Sequence, residues 1–317
     1  MKKLLKLLGI LVGVLALAIA CTAAWINFTD LPTNPVKNLD FQVPTDSISI
    51  AHGAKIARTV CAGCHAAESG KWEGKLFLPK SVGMGDIYSG NITHHPTAGL
   101  GRYKDGEIAY LMRTGIRQDG QVVGPFMYFP NMSDEDVAAV IAFLHSDAPE
   151  VEASDVVNTT NYSFMAKALI KFGIFKPLAY DGKPKMTPPA TDVVAYGRYL
   201  VTTRYNCVAC HVASFEVHNI LEPEKSPGYL AGGNFLTDHA TFETISRNIT
   251  PHPEQGIGKW TFEQFRQAAV SGIRPDGTAL GIAMPRFALL DSAEVGAIWA
   301  YLQTVPALET NATNKPH

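Results

Sequence analysis

Two short stretches of this chain carry the same chemistry-bearing pattern, Cys61-Ala62-Gly63-Cys64-His65 and Cys207-Val208-Ala209-Cys210-His211. Two thiols separated by two residues, with an imidazole directly after, suit covalent haem attachment. The thiols add to two vinyl groups and the imidazole reaches the iron. A Cys-x-x-Cys pair alone also suits a redox dithiol or half a zinc site. The immediate histidine, present both times, favours haem, and zinc would need four ligands where neither stretch has a second cysteine pair. Paired disulfides with incidental histidines are the remaining reading. The expected cofactors are therefore two covalently bound haem c groups (iron), tethered by Cys61 and Cys64 and by Cys207 and Cys210, with His65 and His211 as proximal ligands.

The opposite face of each iron needs a second ligand, for which methionine and histidine are the common choices. Met127 and Met284 occupy equivalent places, in Gly-Pro-Phe-Met and Gly-Ile-Ala-Met, and are the expected distal ligands. Met112 and Met132 have no methionine counterpart. His95 and His252 recur within Thr-His-His-Pro and Thr-Pro-His-Pro and form the rival bis-histidine set, with a solvated loop as their other reading. His52, His145, His218 and His239 have no equivalents and are expected at the surface. Asn91, Thr93, Asn248 and Thr250 are expected to donate hydrogen bonds along the haem edge, or else to stabilise their own loops. Tyr103, Trp260, Arg117 and Arg274 are candidates for the propionates.

These residues fall into a duplication. Asn91-Ile92-Thr93 recurs as Asn248-Ile249-Thr250, Gly115-Ile116-Arg117 as Gly272-Ile273-Arg274, and Met127 as Met284, at a constant offset. The offset is shorter at the haem motifs, which puts an insertion into the second copy between His211 and Asn248, in the Pro- and Gly-rich region 222–237. Each copy should open with a helix into its cysteines, over 47–59 and 192–203. Middle helices are expected over 107–114 and 261–271. Final helices should start at Ser133 and Asp291, each with an acid three residues on, and stop before Pro149 and Pro306. Little reads as sheet, so the expected fold is all-α, with two tandem haem domains over 45–149 and 190–306 and a short tail over 307–317.

The linker, 150–189, contains an apolar and basic stretch over 164–176. Its simpler reading is a connecting helix packed across the two domains, and its sharper one is an interfacial membrane or partner contact. At the N-terminus, Lys2, Lys3 and Lys6 precede an apolar run over 7–26, long enough to span a bilayer within a segment 1–30. The lysines favour a cytoplasmic N-terminus, with the haem domains on the periplasmic side of a bacterial inner membrane. A lipoprotein signal ending at Ala18-Ile19-Ala20-Cys21 and an ordinary cleaved signal are the alternatives. The 317 residues carry a net charge of −2, which offers no basic footprint for nucleic acid.

The chain resembles the multihaem cytochrome c subunits of membrane-bound alcohol and gluconate dehydrogenases, within the class I cytochrome c family. The resemblance rests on the Asn-Ile-Thr-Pro segment with Gly256-Ile257-Gly258 and Trp260, on Gly272-Ile273-Arg274-Pro275-Asp276-Gly277, on Ala283-Met284-Pro285 and on Trp299-Ala300-Tyr301-Leu302. It covers nearly everything after Thr45. It implies two class I domains with Met284, and through the repeat Met127, on iron. Those subunits typically carry three haem motifs where this chain has two, and His252 stands at a usually acidic position. The function implied is electron transfer from a dehydrogenase or quinol-linked donor toward a cytochrome or oxidase acceptor. The alternative is a catalytic dihaem enzyme of peroxidase or thiosulfate dehydrogenase type, which a methionine for each haem disfavours.

Overall fold

The computed structural model describes residues 2–124, 127–237 and 243–310; His239 lies outside them. The apolar N-terminal run forms one helix, α1 (Lys2–Phe28), the single described helix long and apolar enough to cross a membrane. Asp46 starts α2 (Ser47–Val60) by accepting hydrogen bonds from the amides of Ile48 and Ser49. The first haem motif follows directly as α3 (Ala62–His65). Next come α4 (Asp105–Thr114) and α5 (Asp134–Leu144), the latter capped by Ser133. After the linker helix α6 (Phe164–Lys171), the second copy repeats the plan with α7 (Val193–Tyr199), α8 (Phe262–Arg266) and α9 (Ser292–Leu302).

Two hydrophobic clusters form. One gathers buried side chains between Ala54 and Val151, the other between Tyr199 and Val305. In the first, α2 packs on α5, and in the second α7 packs on α9. Each pair touches at a glycine. A Cβ on Gly53 would lie 1.7 Å from the Ala139 carbonyl oxygen, and one on Gly197 1.9 Å from that of Ala297. An exposed helical Gly→Ala change gains about 1 kcal/mol. Here overpacking reverses the sign, so Gly197→Ala should destabilise by about 1–3 kcal/mol. Calorimetry showing an unchanged or raised melting temperature would contradict this close approach.

The second copy places two more residues between that glycine and its first cysteine than the first copy does. They are absorbed by a π-helical turn, Leu200–Arg204, and by Asn206, whose φ of 46° is left-handed. A second π turn, Gln267–Ser271, extends α8. The all-α expectation needs correction. Strands β1 (Leu76–Leu78), β2 (Gly85–Tyr88) and β3 (Asn161–Tyr162) form a three-stranded antiparallel sheet. Strands β4 (Phe235–Thr237) and β5 (Glu243–Ile245) form a second, two-stranded one. The first of these sheets depends on glycines at positive φ, Gly83 and Gly85, that break side-chain alternation and so hide it from a periodicity reading.

The linker also departs from expectation. It does not carry a helix across the two cores. Its first part lies along the first copy, where Asn91 Nδ2 donates to the carbonyls of Ser154 and Val156. Then α6 packs against α1, with Trp25 and Phe172 edge to face at 5.8 Å.

The copies meet instead through buried charge. Arg204 forks onto Asp136 of the first copy, through Nε at 2.6 Å and Nη2 at 2.9 Å, and reaches Glu294 through Nη1 at 3.2 Å. Asp136 is fully buried, and Arg204 and Glu294 nearly so. Tyr199 donates to Asp136 at 2.5 Å, and Lys55 pairs with Glu294 at 2.5 Å. Lys55 stands two residues after Gly53 as Tyr199 does after Gly197, and Asp136 and Glu294 are the third residues of α5 and α9. Each copy's first helix therefore reaches the same position on the other's last helix. His52, expected at the surface, joins this cluster with Nε2 2.8 Å from Asp136. Burial alone would raise the Asp136 carboxyl. Hydrogen bonds from His52 and Arg204, with the Arg204 charge, more than offset it and hold the group below its usual 3.8.

Candidate cofactor sites

Each haem-motif histidine sits at the end of the short turn that carries its cysteines, and the first copy's cysteines are held by the turn α3 itself. His65 and His211 are both buried. The Nδ1 of His65 lies 2.7 Å from the Gly90 carbonyl, and that of His211 2.6 Å from the Arg247 carbonyl. A carbonyl can only accept, so Nδ1 carries the proton and the Nε2 lone pair is left for a metal. Burial lowers both imidazoles below the usual 6.5, partly offset by these same hydrogen bonds, and so keeps them neutral as a ligand must be.

Gly90 and Arg247 immediately precede the repeated Asn-Ile-Thr segments, which gives the loop-stabilising role expected of those segments a specific purpose. Asn91 Oδ1 accepts from the amide of Thr93 at 2.9 Å and from its hydroxyl at 2.7 Å, and Asn248 does the same for Thr250 at 2.8 and 2.7 Å. The Asn248 amide donates to the Leu308 carbonyl. These side chains brace the loop whose carbonyl orients the histidine, the second of the two expected roles, and Asn248 also lines the cavity beside His211. Asn248→Ala strands the buried amide of Thr250, leaves its hydroxyl only the more distant Leu308 carbonyl, and should cost about 1–3 kcal/mol. Denaturant titration checks the value, and a loss of only a few tenths would mean the turn holds without it.

In the second copy a cavity of about 420 Å³ opens beside this arrangement, in the size range of cofactor sites. Cys207, Cys210, His211 and Met284 all line it, so the residues picked from spacing alone converge on one space. Ile257, Phe265 and Leu280 supply apolar wall, and Trp260 and Arg274 also reach it. The cavity offers two thiols in no disulfide, a metal-ready imidazole, a thioether and an apolar surround, a donor set that fits a covalently bound haem. Burial, reinforced by the neighbouring cysteine, pushes the Cys61 and Cys207 thiols up to about 12.

In the first copy, Cys61 and Met127 pack against one core, both half-buried. Met112 and Met132 are buried core residues. His95 and His252 turn their Nδ1 atoms to the amides of Ala98 and Gln255, at 3.1 Å each, and act as loop caps. Arg117 pairs with Asp119, and the Tyr103 hydroxyl accepts from the Gln118 amide. His145 is half-exposed beside Asp105. His218 is not the surface residue expected, for its Nε2 is buried with no hydrogen-bond partner among the described residues. Sequence reasoning missed the Gly90 and Arg247 carbonyls. Their position just ahead of a repeated motif was the available signal.

Residues 50–147 match the cytochrome c family profile. The chain is 30% identical over 289 residues to the fructose dehydrogenase cytochrome subunit of Gluconobacter japonicus, covering 88% of this chain and 57% of that one. It is 29% identical to the gluconate 2-dehydrogenase cytochrome c subunit of Pantoea cypripedii, over 83% and 61%. It is 26% identical to a dihaem c-type cytochrome of Cereibacter sphaeroides, over 78% and 83%. The chain thus spans a little under two thirds of the length of the dehydrogenase subunits it matches.

Proposed function

Because the chain is a c-type cytochrome related to the cytochrome c subunits of dehydrogenases, we propose that it is a membrane-anchored dihaem electron carrier. It takes electrons from a dehydrogenase or quinol-linked donor on the periplasmic side of a bacterial inner membrane and passes them to a cytochrome or oxidase. Its haem-binding units are 45–149 and 190–306. In the first, Cys61 and Cys64 tether and His65 and Met127 ligate. In the second these roles fall to Cys207, Cys210, His211 and Met284. α1 is the anchor, with its N-terminus in the cytoplasm.

The observation that carries this reading is the single cavity on which both thiols, the oriented histidine and Met284 converge. When bound, haem supplies an iron centre that gains and loses one electron. The protein's residues do the rest. The Arg247 and Gly90 carbonyls hold each imidazole in the tautomer and orientation that ligation needs. Met284 would give the iron a thioether ligand in addition to His211, which suits a carrier rather than peroxidase-type chemistry. The apolar walls exclude water and so contribute to the potential.

The test is haem content. Full-length protein purified from membranes should contain two haems per chain that survive denaturation and acid acetone, and its mass should exceed the polypeptide by two haems. One haem per chain, or haem released by acid acetone, would overturn the proposal.

A further inference from the structure

We propose that α6 and the turn after it form a second membrane contact, lying in the headgroup layer of an anionic bilayer at the point where α1 leaves it. The inference rests on the proposed reading of α1 as an anchor. Position comes first. Ile26 is the one buried residue of α1, near its C-terminal end. Lys171 of α6 donates from Nζ to the carbonyls of Trp25 and Thr29, at 2.7 Å each, and so ties α6 to the last turn of α1. Its ammonium also lies 5.1 Å from the Trp25 ring centroid. Tryptophan and lysine are the residues that settle at the edge of a bilayer. α6 is thus fixed at the level where a spanning α1 emerges.

Composition comes second, for α6 is apolar on two faces. Ala166, Leu169 and Ile170 share the inward face, with Ala166 buried. Phe164, Met165, Ala168 and Phe172 share the other, on which Phe164 is 47%, Met165 57% and Phe172 60% exposed. Gly173 at φ 71° then closes the helix, with the Ile174 amide donating to the Leu169 carbonyl, and leaves Ile174 63% exposed. A second apolar face beside a membrane helix needs an apolar neighbour. Between 164 and 176 the chain has Lys167, Lys171 and Lys176 and no acid. Apolar anchors flanked only by positive charge suit anionic lipid headgroups.

The test uses the full-length holoprotein with Cys21→Ser, reconstituted in vesicles of phosphatidylcholine with one third phosphatidylglycerol. Nitroxide labels are placed singly at Ile174→Cys, Leu15→Cys and Glu254→Cys, the last as an aqueous reference. Collision with oxygen relative to a water-soluble nickel chelate should be roughly twofold or more higher at 174 than at 254, as for an interfacial helix. Lys167→Glu with Lys176→Glu should lower that ratio. If the label at 15 is lipid-immersed while 174 matches 254, the contact is wrong although the anchor stands, and a protein partner would be left as the cover. If the label at 15 is itself aqueous, the anchor reading falls and takes this inference with it.

Discussion

Arg204→Ala should lower the stability of the folded chain by about 3–5 kcal/mol, the cost of leaving buried charge unpaired. Asp136 would lose a two-pronged partner and Glu294 a hydrogen bond, in a region that excludes water. Arg204→Lys should recover only part of this, since an ammonium cannot reproduce the fork. The pH dependence carries a sign. Asp136 is held below its usual value, so its contribution is present at neutral pH and is lost as pH falls below about 3.8 toward the folded value. Without Arg204 the burial effect gains, the carboxyl rises, and protonation eases the strain. The deficit of the variant relative to the native chain should therefore shrink between pH 7 and pH 4 in urea titrations. A deficit under about 1 kcal/mol, or one that grows in acid, would show that the cluster is not what joins the copies.

Met284→Ala should abolish the far-red sulfur-to-iron absorption of one haem and leave that of the other, with a drop in one reduction potential. Met127→Ala should do the reverse. Methionine raises the potential relative to histidine, so Met284→His should restore a low-spin centre at a lower potential and spare its partner. The cavity lining gives Met284 its place, and repeat equivalence carries the role to Met127, which packs on the same core as Cys61. A redox titration with optical detection resolves the two centres. If both single variants keep the whole absorption, or if the native protein is high-spin, methionine is not the ligand and the catalytic alternative gains.

What could be read from the residues was whatever local chemistry dictates. Helix starts at Asp291 and Thr261 announce themselves because a side chain and the backbone three residues on satisfy one another. The Cys-x-x-Cys-His stretches and Met284 could be picked out because their pattern recurs in each copy, and in the second copy they line one cavity. What stayed hidden depends on long-range contact. Nothing near His52 or Asp136 in sequence points to Arg204, and a buried salt cluster has no periodicity. The Asn-Ile-Thr segments were recognised as meaningful, but their target is a backbone carbonyl, which no side-chain pattern encodes. The glycine-rich strands near Gly83 escaped for the same reason, since their pairing comes from the partner strand and not from alternation.

The reciprocal contact between the copies bears on how such a chain can change over generations. Two identical subunits meeting about a two-fold axis present each residue twice, so any substitution alters both halves of the contact together. Joined in one chain, the halves separate. At equivalent positions Lys55 now forms an ion pair with Glu294, while Tyr199 donates a neutral hydrogen bond to Asp136, whose charge is balanced by Arg204. Tethering thus replaces a symmetric lock with two unlike ones that share Arg204, and one half can change its side of the contact without forcing the same change on its twin.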